Sequence, residues 1–183
     1  MRRYKHHQAG TTAVEVALTL SMFLMFIMGI IEMARVVYIM NTVQEVTRSA
    51  AHAAANANFT DNALMDQVRQ RAIFRTSSGN LLLSEPITDT HVRIDYMALV
   101  KTGSQQVPTP IVTLPASPAS NRGTCIADPN DPNCIRFVRV RICGPVAGGA
   151  CIPVPYDPIV PMIPFTFNVP MATTIVTANS LGL

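Results

Sequence analysis

The sequence predicts a membrane-anchored α+β chain, in which one long N-terminal transmembrane helix continues into a small domain with an antiparallel sheet. Three observations predict it. All fourteen prolines of the 183 residues lie at Pro86 or beyond, so nothing of that kind interrupts a helix in the front of the chain. Between Glu15 and Glu32 no charged residue occurs. The back half is β-branched, divided by proline and glycine, and it holds all four cysteines.

Composition narrows the functional classes. Charged residues are 14% of the chain, well below the quarter or so of a soluble protein. Mean hydropathy is +0.27, which also points to a membrane segment. A hydrophobic fraction of 49% argues against disorder. The net charge is +3, and Arg2, Arg3 and Lys5 supply that many positives by themselves. No basic face remains to hold a nucleic acid. With no tryptophan and 6% aromatics, a stacking surface for bases or sugars is not expected either.

The elements follow in order. Residues 1–10 form a polar, basic tip. Residues 11–31 reach roughly 31 Å as a helix, enough for a bilayer core of about 30 Å. Positive charge at the tip keeps it cytoplasmic and sends the remainder outward. A cleaved secretory signal fits less well, because small-residue cleavage patterns begin only near Ala51, far behind the apolar run. Residues 32–59 continue the helix beyond the membrane, so that residues 11–57 would run roughly 70 Å. Glu32 with Arg35, and Glu45 with Arg48, stand three apart and meet on one face. Val36, Val37, Met40, Val43, Val46, Ala50 and Ala53 make a buried stripe. The alanines from Ala50 to Ala57 leave a thin surface for close packing.

Residues 60–183 form the exported α+β domain. Asp61 or Asn62 caps a helix over 63–76, with Leu64, Val68, Ile73 and Phe74 inward and Arg69, Arg71 and Arg75 outward. Strands are expected at 91–100, at a proline-flanked edge over 111–114, at 135–142 with Val138, Val140 and Ile142 on one face, and at 165–178, interrupted at Pro170.

In an exported domain Cys125, Cys134, Cys143 and Cys151 favour disulfides. Three connectivities exist. Pairing Cys134 with Cys143 fails if the strand between them is real, since it would hold them roughly 30 Å apart. Cys125–Cys134 with Cys143–Cys151 is preferred, each closing a turn-rich loop and adding about 2–3 kcal/mol. A zinc site is the less fitting alternative, because no C-x2-C knuckle occurs.

No catalytic, metal or cofactor signature appears. Asp89, His91 and Asp95 would share a strand face, and a solvated face is the simpler reading. No enzyme activity, metal or cofactor is expected.

Gly10-Thr11-Thr12-Ala13-Val14-Glu15 has the spacing of a type IV prepilin cleavage site. The stretch Val14-Glu15-x-Ala17-Leu18, the run Gly29-Ile30-Ile31-Glu32, Arg35 and the alanine-rich segment after Arg48 resemble the N-terminal segment of TadE-like proteins. These are pseudopilins or minor pilins of tight-adherence (Flp-type) pili. The resemblance covers roughly residues 10–57 and implies a pilin-like architecture. It also implies processing between Gly10 and Thr11 by a prepilin peptidase, and subunit docking through Glu15, placed one helical turn from the new Thr11 amine. The partners it implies are the inner membrane, the peptidase, other pilin subunits and the Tad assembly platform. The domain would then be periplasmic or, in a pilus, extracellular, serving pilus biogenesis and surface adhesion. The rival reading is a static, single-pass, membrane-anchored periplasmic binding module that keeps its leader.

Overall fold

The structure, a computed structural model, describes residues 9–144, 150–159 and 167–182. Most of the basic leader, the middle of the second cysteine loop and the first two residues of the expected terminal strand lie outside the described residues.

Helix α1 runs over Ala9–Asn56 without a break. It lives in two environments. As far as Ile31 its large apolar side chains are all exposed. From Glu32 onward one face is buried through Val36, Ile39, Val43, Val46, Ala50 and Ala54. The expected stripe is rotated slightly: Val37, Met40 and Ala53 stand exposed beside it, and Ile39 lies on it. The reason is phase. At 3.6 residues per turn the rows through 36, 39, 43 and 50 coincide, while 37, 40 and 53 fall to either side. Ala50, Ala51, Ala54 and Ala55 are buried, so the thin surface does receive the rest of the domain.

Asp61 caps α2 (Asn62–Ala72), its side chain accepting from Leu64 N at 3.1 Å. Met65, Val68, Ala72 and Ile73 are buried. The helix ends earlier than the expected 76. Phe74 turns into the left-handed region at φ 61° and points its ring outward instead of into the core.

The main sheet is antiparallel throughout. Its strands are β1 (Val92–Thr102), β2 (Gln105–Pro110), β3 (Phe137–Ile142) and β6 (Thr173–Thr177), in the order β2-β1-β3-β6. Val138, Val140 and Ile142 are buried, as their alternation requires. The expected edge at 111–114 does not form. The edge is 105–110, because Gly103 (φ 65°) and Ser104 turn the chain back directly, pairing Thr102 with Gln105. Pro108 and Pro110 are two apart, so both can turn their missing N–H away from β1. The expected terminal strand divides at Pro170. Before it, β5 (Asn168–Val169) pairs with β4 (Val154–Pro155) in a separate ribbon, and after it β6 joins β3. Thr47 Oγ1 and Thr174 Oγ1 meet at 2.9 Å and fix β6 along α1.

An unexpected helix, α3 (Pro118–Ala127), starts at the Ser117 cap, which accepts from Ser120 N at 3.1 Å. It positions Cys125 against Cys134. Both preferred disulfides are present, Cys125–Cys134 and Cys143–Cys151, with Cα separations of 5.0 and 4.9 Å.

Candidate assembly site

The residues expected to serve processing and docking lie at the outer end of α1. Gly10 and Thr11 are exposed in its first turn, and nothing stands within 4 Å of where a Gly10 Cβ would be. A peptidase that needs extended backbone would have to unwind only a helix end, which frays readily. Glu15 is one turn further on, exposed, and has no ion-pair partner among the described residues. The polar groups below it are handled internally. Thr19 Oγ1 donates to Glu15 O at 3.0 Å, and Ser21 Oγ donates to Ala17 O at 2.7 Å. A stretch with its hydroxyls bonded back onto helix carbonyls leaves little polar surface to desolvate. Gly10–Asn56 is the one helix among the described residues long and apolar enough to cross a membrane.

A second cluster lies where α1 meets the domain. Glu32 is only 1% exposed. The Tyr156 hydroxyl donates to Glu32 Oε1, and Ile159 N donates to the same oxygen at 3.3 Å. Arg35 Nη1 stands 3.5 Å from Glu32 Oε1, so the expected pair does form. Arg35 does more than pair. Its Nε donates to Leu83 O at 2.9 Å, Nη2 to Glu85 O at 3.0 Å and Nη1 to Asp157 O at 2.8 Å. Its guanidinium lies 5.1 Å from the centre of the Tyr156 ring, which stacks on Phe167 at 4.4 Å. Two loops distant in sequence are thereby tied to one helical turn. Burial pushes the Tyr156 phenol up to about 12, and its bond to Glu32 adds to the shift, so it stays a donor. The Glu32/Arg35 spacing was legible in the sequence; Tyr156 and the carbonyls were not, since they lie roughly 50 and 120 residues away.

The third candidate group comes apart. Asp89 and His91 belong to a single 3-10 turn (Asp89–His91), not to a strand, and both are buried. Asp89 accepts from Ser78 Oγ at 3.0 Å and from Gly79 N at 3.2 Å. Thr88 N donates to His91 Nδ1 at 3.0 Å. Burial lowers the His91 pKa from 6.5 against the pull of Asp89. Asp95 lies in β1 among arginines, with Arg93 Nε at 3.0 Å, Arg139 Nη2 at 3.1 Å and Arg141 Nη2 at 2.6 Å. Its burial would raise its pKa, but the three guanidinium groups prevail and lower it. The expected shared face of Asp89, His91 and Asp95 therefore does not exist. Each side chain is committed to a structural partner, and among the described residues no group of three or more potential ligands could hold a metal ion.

Residues 10–52 match the family model described as TadE-like protein. The match covers α1 from its first turn nearly to its end and stops before the sheet. No curated protein matches the chain, and no solved structure does.

Proposed function

We propose that this chain, TadE-like over residues 10–52, is a pseudopilin or minor pilin of a Tad-type pilus. Residues 11–31 hold it in the inner membrane with the N-terminus cytoplasmic, and residues 60–183 stand in the periplasm or on the fibre. The role is structural, in pilus assembly and surface adhesion, and no catalysis is assigned. One observation carries the reading. A single unbroken helix is bare and apolar for its first six turns and then becomes the spine of a small sheet domain. Such a helix suits lipid in one state and a helical bundle in another, without refolding the domain. Gly10 and Thr11 bracket the processing site, the prepilin peptidase is the processing partner, and Glu15 docks against the amine of a neighbouring subunit. The Tad assembly platform is the machine that would extract it.

The test is the intact mass of the membrane-extracted protein, with and without the prepilin peptidase. Loss of residues 1–10 only when the peptidase is present is the expected result. A chain that keeps its leader in both cases overturns the pilin reading and leaves the fixed, membrane-anchored binding module.

A further inference from the structure

Around the turn where α1 leaves its bare stretch, four large apolar side chains of the domain stand in solvent. Phe74 is 61% exposed, Leu82 62%, Leu83 67% and Ile159 62%. Leu82, Leu83 and Ile159 line one groove with Arg35. Phe74 and Leu82 line a second with Tyr38 and Arg75. The two grooves share Leu82 and Arg75, so the apolar surface is continuous around this side of the helix.

Its height along the helix is fixed. Arg35 holds the Leu83 and Glu85 carbonyls, and Arg35 is four residues past Ile31, about 6 Å along the axis. The headgroup region of a bilayer is roughly 5–8 Å deep on each side of the hydrocarbon core. The collar therefore sits at that depth if the apolar run of α1 fills the core. Ile31, one turn before Arg35 on the helix, is exposed as well.

The backbone aims these side chains outward at a cost. Phe74 (φ 61°) and Leu83 (φ 56°) occupy the left-handed region, which bulky residues seldom adopt. A turn needing only that conformation is better made with glycine or asparagine. Neither side chain repays the strain by packing in the core. Beside them Arg75 is exposed, its Nε donating to Asn80 O, and it has no acidic partner among the described residues. An unpaired guanidinium among apolar and aromatic side chains is the pattern of a lipid interface.

We propose that Phe74, Leu82, Leu83 and Ile159 enter the periplasmic leaflet, with Arg75 on lipid phosphate, and that this collar sets the height and tilt of the domain on its helix. The occupant is lipid. The proposal rests on the anchored reading of residues 11–31.

The chain has no tryptophan, so Leu82→Trp and Phe74→Trp each give a single fluorescent reporter at an exposed position. Phe23→Trp reports on the span. Ile126→Trp reports on the far end, where Leu181 N meets Ala55 O, roughly 36 Å beyond Ile31. Each full-length variant, with both disulfides verified by mass, is placed in phosphatidylethanolamine–phosphatidylglycerol vesicles. Quenching is read with lipids brominated high or low on the acyl chain, and with iodide on both sides of the bilayer. The expected result is quenching of Leu82→Trp and Phe74→Trp mostly by the shallow bromines, with iodide quenching several-fold weaker than for Ile126→Trp. Iodide quenching equal to that of Ile126→Trp, while Phe23→Trp is quenched by the deep bromines, overturns the collar and leaves the anchor standing. Shielding from both iodide and bromine places another protein copy there and likewise overturns it. If Phe23→Trp escapes the bromines, the anchor fails and the collar fails with it.

Discussion

A carboxylate that is 1% exposed must be surrounded by donors, and Glu32 takes them from two segments of chain, Arg35 on its own helix and the Tyr156–Ile159 stretch. His91 answers the same problem in the opposite way, by staying neutral. Thr88 N donates to its Nδ1, a bond that protonation of that nitrogen would break. Because burial lowers its pKa below 6.5, the unfolded chain binds this proton more readily than the folded one. The stability that His91 contributes is therefore complete above about pH 6.5 and is lost as pH falls from there toward the folded value. Asp95 behaves as a paired acid. Its pKa is depressed below 3.8, so its contribution is present above that pH and is lost as pH drops through the folded value. Denaturation midpoints of the full chain in detergent should thus fall in two stages on acidification. His91→Gln should remove the dependence between the folded His91 value and 6.5 and leave the lower stage. A wild-type midpoint that stays flat through the upper window would contradict this. Strand alternation would put Asp89, His91 and Asp95 on one face, but the chain makes a 3-10 turn at Asp89–His91. No periodicity distinguishes three residues of turn from three residues of strand.

At the scale of elements, the helix α1 is closed by the far end of the chain. Asn179 N and Leu181 N both donate to Ala55 O, at 3.2 and 3.3 Å, supplying partners that a helix C-terminus otherwise lacks. Gly182 makes this possible. Its φ is +86°, and a Cβ there would stand 2.7 Å from the Asn58 backbone. Gly182→Ala should therefore cost about 1–3 kcal/mol and raise amide exchange at the end of α1. Gly123→Ala is the contrast. It lies inside α3 with nothing within 4 Å of the added carbon, so it should be neutral or stabilise by up to about 1 kcal/mol. Equal effects of the two substitutions would sink the capping argument. The same scale shows what the sequence could tell. Long α1, a cap at Asp61 or Asn62, the 138/140/142 face and both disulfides follow from local rules. The edge strand lies at 105–110 and not at the proline-flanked 111–114, because an edge tolerates Pro108 and Pro110 at alternate positions. Helix α3 carried a readable signal, Ser117 followed by Pro118 as cap and first residue, but its composition of small and polar residues hid it. The division at Pro170 was marked, whereas the move of the two halves into different sheets depends on partners at Val154 and Arg139, which no local pattern contains.

For the whole molecule, the question is why a chain would carry Glu15 on a helix otherwise suited to lipid. A carboxylate costs up to about 3 kcal/mol at the centre of a bilayer and less toward its edge. Among the described residues Glu15 has no ion pair, and the first side chain of the helix to be buried is Glu32. In an anchored monomer Glu15 can rest among the headgroups, where replacing it does nothing harmful. In a bundle of such helices it would enter low dielectric and need a positive partner, and on the proposed reading the Thr11 amine of a neighbour would be that partner after cleavage. The two situations separate under Glu15→Gln, which keeps the shape and removes the charge. The expected outcome is a protein that reaches the membrane at normal levels, forms both disulfides and is cut by the peptidase, yet is lost from sheared pili or from crosslinked subunit complexes. Restoring the charge as Glu15→Asp, one methylene shorter, should recover part of that incorporation. Undiminished incorporation of Glu15→Gln would mean that the helices pack through their apolar surfaces alone, and that the carboxylate has no part in docking.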